Sequence, residues 1–326
     1  MSRERNTIHL ANGAALLGAL ALAALGGWDP SPRAHTQETI ASPVITVARR
    51  HPLPGGGFAI ADAAGTLIPL RDYRRIVSTN VLSDRLLMDL AEPSRVLAVG
   101  RTGATTDPGR WRLAGKPIVD GMGPVETIIA LKPDLVLMNI FGADGRIDQL
   151  RAAGIVVFNL GQLHGLATLI PTAELVGELL GDGARGRQWG HDFQARIARV
   201  AAPLGSRPRL RAIYLAAYAG HLMGGSRGTS YHDVITHAGL IDAAAEGGFH
   251  DWPQFRAEQV LALDPDVIVT KDGMAEAVCT APGLEQLRAC DKSARAGRVL
   301  TLPEALIEDP GAGMLEAAER LFDLAY

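Results

Sequence analysis

The strongest constraint on what this chain can fold into is a short segment that occurs twice. Residues 126–137 read ETIIALKPDLVL and residues 258–269 read EQVLALDPDVIV. Glu, Ala, Leu, Pro and Asp recur at the same offsets, and most intervening positions are apolar in both copies. Each copy predicts a short helix opened by its glutamate and stopped by Pro133 or Pro265. A buried strand should follow, over Leu135–Met138 in the first copy and Val267–Thr270 in the second. The copies stand too far apart for a stacked repeat array. They imply two similar α/β lobes, each built around one copy. A single exposed glutamate would mean little, but two at matched positions on paired lobes predict a two-pronged contact surface.

The 326 residues, 47% hydrophobic and 21% charged, are enough for one large or two ordinary globular domains with ample core. A net charge of −3 gives no general attraction to nucleic acid or anionic membrane, so nucleic acid is not an expected partner. Arg3 and Arg5 precede an apolar run from Ala11 to Leu25, then Gly26 and Gly27. That run is short and Ala/Gly-rich for a membrane span and fits the apolar part of a secretory signal. Cleavage can fall at Gly26–Gly27 or Ala34–His35, an uncleaved N-terminal anchor being the alternative. No cysteine follows the run, so a lipid anchor is not expected. Either way the folded part is expected outside the cytoplasm. There, the two cysteines, Cys279 and Cys290, are expected to close a short loop as a disulfide, since further metal ligands or a C-x-x-C spacing are lacking.

Residues 28–57 are rich in Pro, Gly and Ser and read as a linker with one strand at Val44–Val47. FAIAD and TLIPL, within Phe58–Leu70, predict a β-hairpin. Strands and helices then alternate: RIVS at 75–78, a helix over Asp84–Leu90, a strand at Val96–Val99 and a loop from Gly100 to Gly123. The first repeat copy, a helix near Ile147–Ala153 and a strand at Ile155–Leu160 complete the first lobe. This rhythm predicts a largely parallel sheet. A long helical stretch over 166–203, with a dip at Gly181–Gly183, carries Trp189, Phe193, Ile197 and Val200 on one face. It is expected to act as a stiff spine, its main helix spanning 183–203. Alternation resumes at Ala212–Ala217 and runs through the second copy and Arg298–Thr301 to a terminal helix over Met314–Ala325.

The order of RIVS, ETIIALKPDLVL, a spine helix, GTSYHDVITHAG, WPQF and EQVLALDPDVIV resembles the periplasmic binding proteins of ABC importers for iron–siderophore, haem and cobalamin, the helical-backbone metal receptors. The resemblance covers roughly residues 58–326, with a metal-chelate-binding domain from about residue 74. It implies an α/β fold of two parallel-sheet lobes joined by a long rigid backbone helix, with the ligand in the cleft between them. The expected divisions are signal peptide and start of linker (1–34), linker (35–57), N-terminal lobe (58–165), interlobe helical segment (166–203) and C-terminal lobe (204–326). The implied protein is an exported, monomeric, non-enzymatic receptor that hands a metal chelate to a permease dimer in the inner membrane.

In that family, glutamates at the positions of Glu126 and Glu258 engage arginines on the two permease subunits. The chemistry is sensible by itself. Pro124 and Pro253 punctuate the chain before each helix, the helix dipole favours a carboxylate there, and an exposed carboxylate accepts an arginine fork. Both residues are also good helix openers in any fold. Trp252 matches a position where a family member presents an aromatic ring to its ligand. Trp111, between Arg110 and Arg112, suits a flat or anionic ligand. Arg101, Arg227 and Tyr231 are further candidates in strand-end or helix-start positions, where open α/β sheets bind ligands. His221, His232, His237 and His250 cluster in sequence with Tyr218 and Tyr231. His232 and His237 do not share a helix face, however, and Val119–Val125 lacks the tyrosine that haem binders often carry before the first glutamate. No metal-ligating side chain and no resident cofactor are therefore expected. A ferric siderophore is the expected ligand, as the commonest cargo of such proteins, with cobalamin or haem as alternatives.

One rival belongs to another class. Gly224-Gly225-Ser226-Arg227-Gly228 fits the G-x-S-x-G elbow of α/β-hydrolases, with Asp242 and His250 downstream in the right order. A secreted serine hydrolase using Ser226 would need that serine on a tight turn between a strand and a helix. It would leave the repeat unexplained.

Overall fold

The computed structural model describes residues 49–100, 112–139, 145–284, 286–290 and 298–326. The expected signal segment, the strand at Val44–Val47, Arg101, Arg110 and Trp111 lie outside these residues. No described helix is long and apolar enough to cross a membrane.

Three short strands, β1 (His51–Pro52), β2 (Phe58–Ala61) and β3 (Leu67–Pro69), form an antiparallel sheet. The turn between β2 and β3 closes because Asp62 Oδ1 accepts the amides of Ala64 and Thr66. Its other oxygen takes Arg151 at 2.7 Å, anchoring this sheet to the first lobe. That lobe runs β4 (Ile76–Ser78), α1 (Val81–Leu90), β5 (Val96–Gly100), β6 (Ile118–Val119), α2 (Val125–Ala130), β7 (Leu135–Met138), α3 (Arg146–Ala152) and β8 (Val157–Asn159). Its strands are all parallel, in the order β6-β5-β4-β7-β8.

The spine dips at Gly181 as expected, but its main helix starts at Gly183 and ends at Ile197, short of 203. The chain forms α4 (Leu166–Leu180), turns at Gly181 with φ 90°, and returns as α5 (Gly183–Ile197), capped by Asp182. Small residues draw the two helices together: a Cβ on Gly186 would lie 2.4 Å from the carbonyl oxygen of Ala173. The apolar face read from the sequence still holds, since Trp189 and Phe193 stack at 5.1 Å and Ile197 is buried.

The second lobe continues β9 (Arg211–Tyr218), β10 (His221–Gly225), α6 (Ser230–His237), β11 (Ile241–Asp242), α7 (Ala243–Glu246), β12 (Gln254–Phe255), α8 (Ala257–Leu263), β13 (Val267–Lys271), α9 (Ala275–Cys279), β14 (Arg298–Leu302), α10 (Glu304–Ile307) and α11 (Gly313–Ala325). Its sheet runs β12-β10-β9-β13-β14, with β11 beside β9. The sheet is largely parallel, as expected, except that β10 runs antiparallel to both β9 and β12. The reversal is a two-residue turn in which Ala219 (φ 48°) and Gly220 (φ 81°) both take left-handed backbone, as tight hairpins require. Cys279 and Cys290 are joined by a disulfide, with Cα atoms 5.5 Å apart.

The two repeat copies hold equivalent places. β7 lies between β4 and β8, and β13 lies between β9 and β14, all parallel. Lys132 and Asp264, each immediately before the shared proline, both adopt positive φ (47° and 41°). The shared aspartate links each copy to the neighbouring strand. Asp134 accepts the amides of Arg74 and Arg75 just before β4, and Asp266 accepts that of Arg211 at the start of β9.

Alternate strand residues separate cleanly between core layers, as a period of two dictates. Leu135 and Leu137 face one apolar cluster, while Val136 and Met138 face another beneath α2 and α3. In the second lobe Ala212, Tyr214 and Ala216 join the same cluster as Leu135, while Ile213 and Leu215 face a layer of their own. One core therefore runs continuously from sheet to sheet through Leu169, Ala173, Phe193, Val234 and Leu321.

Candidate functional site

Parallel strands end where their helices begin, and open α/β sheets bind ligands at that end. In both lobes those strand ends border a cavity of about 770 Å³. The first lobe contributes Asn139, directly after β7, and Gln162 and Leu163, shortly after β8. The second contributes Tyr214 and Tyr218 from β9, Met223 from β10 and Tyr231 from α6. Trp252 and Glu308 complete the wall.

The aromatic part is built with room cut for it. Tyr214 and Tyr231 stack at 3.8 Å between ring centroids, 13° from parallel. A Cβ at Gly225 would lie 2.0 Å from Cδ2 of Tyr231, and one at Gly224 would lie 2.2 Å from Cε2 of Phe255. Burial pushes the Tyr231 phenol up to about 12 and raises Tyr214 too, so both remain neutral hydroxyls at any physiological pH. Trp252 leaves 44% of its surface exposed and sits 5.6 Å from the ring of His164. His164 reaches the second lobe through Nδ1, 2.9 Å from the carbonyl oxygen of Gly228. Nearby, the amide of Leu166 donates to Asp233 at 2.7 Å, so a side chain of α6 caps the start of α4.

Glu308 is the one carboxylate on the described wall. Its Oε1 accepts the Tyr218 hydroxyl at 3.2 Å and Lys271 Nζ at 3.0 Å. Lys271 also pairs with Glu304. Burial opposes the ammonium charge, but the bonds to Glu304, Tyr218 and Glu308 outweigh it and hold Lys271 above the ordinary lysine value. No Arg, Lys or His side chain lines the cavity among the described residues.

The sequence candidates divide accordingly. Trp252 and Tyr231 stand on the wall together. Arg112 does not; its guanidinium donates to the carbonyl of Met88 at 2.7 Å. Arg227 is also off the wall, its Nη2 3.4 Å from the carbonyl of Ala245. Those two cations satisfy backbone carbonyls elsewhere, which their sequence positions did not reveal. The histidines are dispersed: His232 pairs with Asp242, His237 with the carbonyl of Asp233, His250 with Asp251 and His221 with Gln254. Among the described residues no group of three or more His, Cys, Asp or Glu could hold a metal.

Ser226 does directly follow a strand, closer to an elbow than the sequence indicated, but the rest of the hydrolase geometry fails. The serine is fully buried, and its hydroxyl donates straight to Asp242 at 3.0 Å with no histidine between. Asp242 also caps α7 through Ala245, and His250 is engaged with Asp251. The glycines of the motif make room for Tyr231 and Phe255.

Glu126 and Glu258 occupy the same place, the second residue of α2 and of α8. Both are exposed, and neither carboxylate has a hydrogen-bond or ion-pair partner among the described residues. Each helix starts at the ligand-binding end of its sheet. A Cβ at Gly121, just before α2, would lie 2.8 Å from the carbonyl oxygen of Thr79, which follows β4. Phe255, just before α8, pairs with Leu222 beside the end of β9. The glutamates therefore stand at the cleft-bearing ends of their lobes.

Comparison with known proteins places this architecture. Residues 76–310 match the family described as "Periplasmic binding protein". A cobalamin-binding protein of Halobacterium salinarum is 27% identical over 219 residues, covering 64% of this chain and 57% of that protein. An uncharacterized ABC transporter substrate-binding lipoprotein of Bacillus subtilis, YvrC, is 25% identical over 209 residues, covering 62% and 65% respectively. The chain thus spans less than two thirds of either relative. The crystal structure of a periplasmic haem-binding protein from Pseudomonas aeruginosa superposes with a TM-score of 0.63 at 25% identity, covering 77% of this chain and 91% of that one.

Proposed function

From the premise that the chain belongs to the periplasmic binding protein family, we propose that it is the substrate-binding component of an ABC importer, taking a corrinoid such as cobalamin between its lobes. The carrying observation is the cavity wall: aromatic rings, two amides and neutral phenols, with no basic side chain among the described residues. A corrinoid is broad, largely apolar on its faces and fringed with amides. Asn139, Gln162 and the tyrosine hydroxyls can hydrogen-bond those amides, while Trp252 and Tyr231 cover the faces. Haem carries two propionates and many ferric siderophores are anionic, and the described residues of this wall offer neither a cationic partner. The cobalamin-binding relative supports the same choice over the siderophore inferred from frequency alone.

Glu126 and Glu258 would dock the receptor on its permease, one carboxylate per permease subunit, by accepting arginine forks. Their exposure, matched helix positions and lack of partners among the described residues support that role. The protein would be exported and act as a monomer. The continuous core through both lobes makes a stiff receptor whose closure on ligand is small. Protein purified from its native host should carry corrinoid absorption and the corresponding mass. A Soret band with haem, or a ferric chelate charge-transfer band, in place of the corrinoid spectrum would refute the ligand assignment.

A further inference from the structure

We infer that Glu308, held by Lys271 and Tyr218, makes this cleft select against anionic ligands. This rests on reading the cavity as the ligand site and goes further, assigning charge selection to one residue.

The cluster is built from four residues on three segments that meet at the strand ends. β9 ends on Tyr218, β13 ends on Lys271, and the segment after β14 supplies Glu304 at the start of α10 and Glu308 just beyond its end. Lys271 contributes +1 and the two glutamates −2, so the ion cluster carries a net −1. Its cation lies behind the wall, with only 10% of its side chain exposed, whereas Glu308 is on the wall itself. Both donors converge on Oε1, leaving Oε2 without a partner among the described residues. The Lys271 ammonium also lies 5.0 Å from the centre of the Tyr218 ring, which fixes that ring against the cluster. The arrangement resembles neither a solvated surface pair nor a neutralised one. Because Glu308 shares Lys271 with Glu304, the cluster presents a fixed net charge of −1 at the wall.

Such a charge discriminates by repulsion rather than by new attraction. A ligand carboxylate brought to within about 8 Å of that net charge, at an effective dielectric near 20, is disfavoured roughly thirtyfold relative to its neutral amide. Neutral or cationic ligands do not meet this barrier.

The test uses probes that differ in charge and hardly in shape: cyanocobalamin and its monocarboxylic acid, in which one side-chain amide is hydrolysed. Calorimetric affinities of the full-length wild type should favour the neutral form by tenfold or more, on the order set by that repulsion. In Glu308→Gln the ratio should fall toward parity, and Glu308→Asp should keep most of it. Raising salt should shrink the wild-type ratio and leave the Gln variant's unchanged, a dependence that a purely structural role for Glu308 would not produce. Equal wild-type affinities, or a ratio that survives Glu308→Gln, would overturn the inference while leaving corrinoid binding intact. Failure to bind either corrinoid would instead remove the ligand assignment. Haemin and its dimethyl ester would then read the same discrimination, a preference for the ester supporting it and a preference for the free acid overturning it.

Discussion

Replacing Trp252 by alanine should weaken cyanocobalamin binding about a hundredfold. The ring leaves 44% of its surface open in the free protein. Of the roughly 250 Å² that a tryptophan can bury, that is about 110 Å² available for a ligand to cover. At about 25 cal/mol per Å² this amounts to about 2.7 kcal/mol, which is two decades in Kd. That loss corresponds to a ligand covering the whole exposed face, so Trp252→Phe, which keeps a flat but smaller ring, should lose clearly less. Isothermal titration with both variants gives the affinities. Thermal unfolding supplies the control for the packing of the ring against His164. An alanine variant that melts normally and binds within threefold of wild type would show that the ligand never covers this ring. The cavity would then have been assigned the wrong wall.

Three other outcomes follow from the same geometry. Reversing charge at both Glu126 and Glu258 should leave cyanocobalamin affinity intact and abolish ligand uptake by cells expressing the cognate permease; loss of binding in the purified double mutant would place the glutamates in the cleft. Changing both Cys279 and Cys290 to serine opens a loop closed over a separation of 11 residues and should cost about 3 kcal/mol, read by chemical denaturation against the oxidised wild type. Burial raises Asp84 to about 7, against hydrogen bonds from Ser78 and Gly100 and with help from the charge of Asp309. The folded form thus binds the proton more tightly than the unfolded chain, whose aspartate titrates near 3.9. The associated stability, on the order of 4 kcal/mol, is complete below about pH 4 and disappears as pH rises through 7. Asp84→Asn should flatten unfolding free energy across that window, and an unchanged slope would contradict the assignment.

The repeat was legible because its residues act locally. Pro133 and Pro265 stop helices wherever they stand, and the aspartate after each fixes the entry of the adjacent strand. Glu126 and Glu258 were legible for a related reason, since a glutamate in a first helical turn is stable when exposed. The cavity was much less so. Asn139, Gln162 and Tyr214 share nothing in sequence and become neighbours only when two sheets present the same ends to one space. A hint existed, because Asn139 and Tyr218 sit at or just past strand ends. The charged residues misled for the converse reason: Arg112 and Arg227 stand in loops of the right kind, yet each turns to a nearby carbonyl. β10 escaped notice because its turn uses Ala219 at positive φ, a conformation that alanine rarely signals. The dip at Gly181–Gly183 was legible; that it is a full reversal was not, because the close helix packing through Gly177 and Gly186 shows only in three dimensions.

Titration of ligand-free protein with cyanocobalamin probes the central claim most directly. A receptor with this aromatic wall, without a basic side chain among its described residues, should bind one equivalent with submicromolar affinity. No measurable binding of cyanocobalamin, alongside stoichiometric binding of haemin or a ferric siderophore by the same preparation, would contradict it.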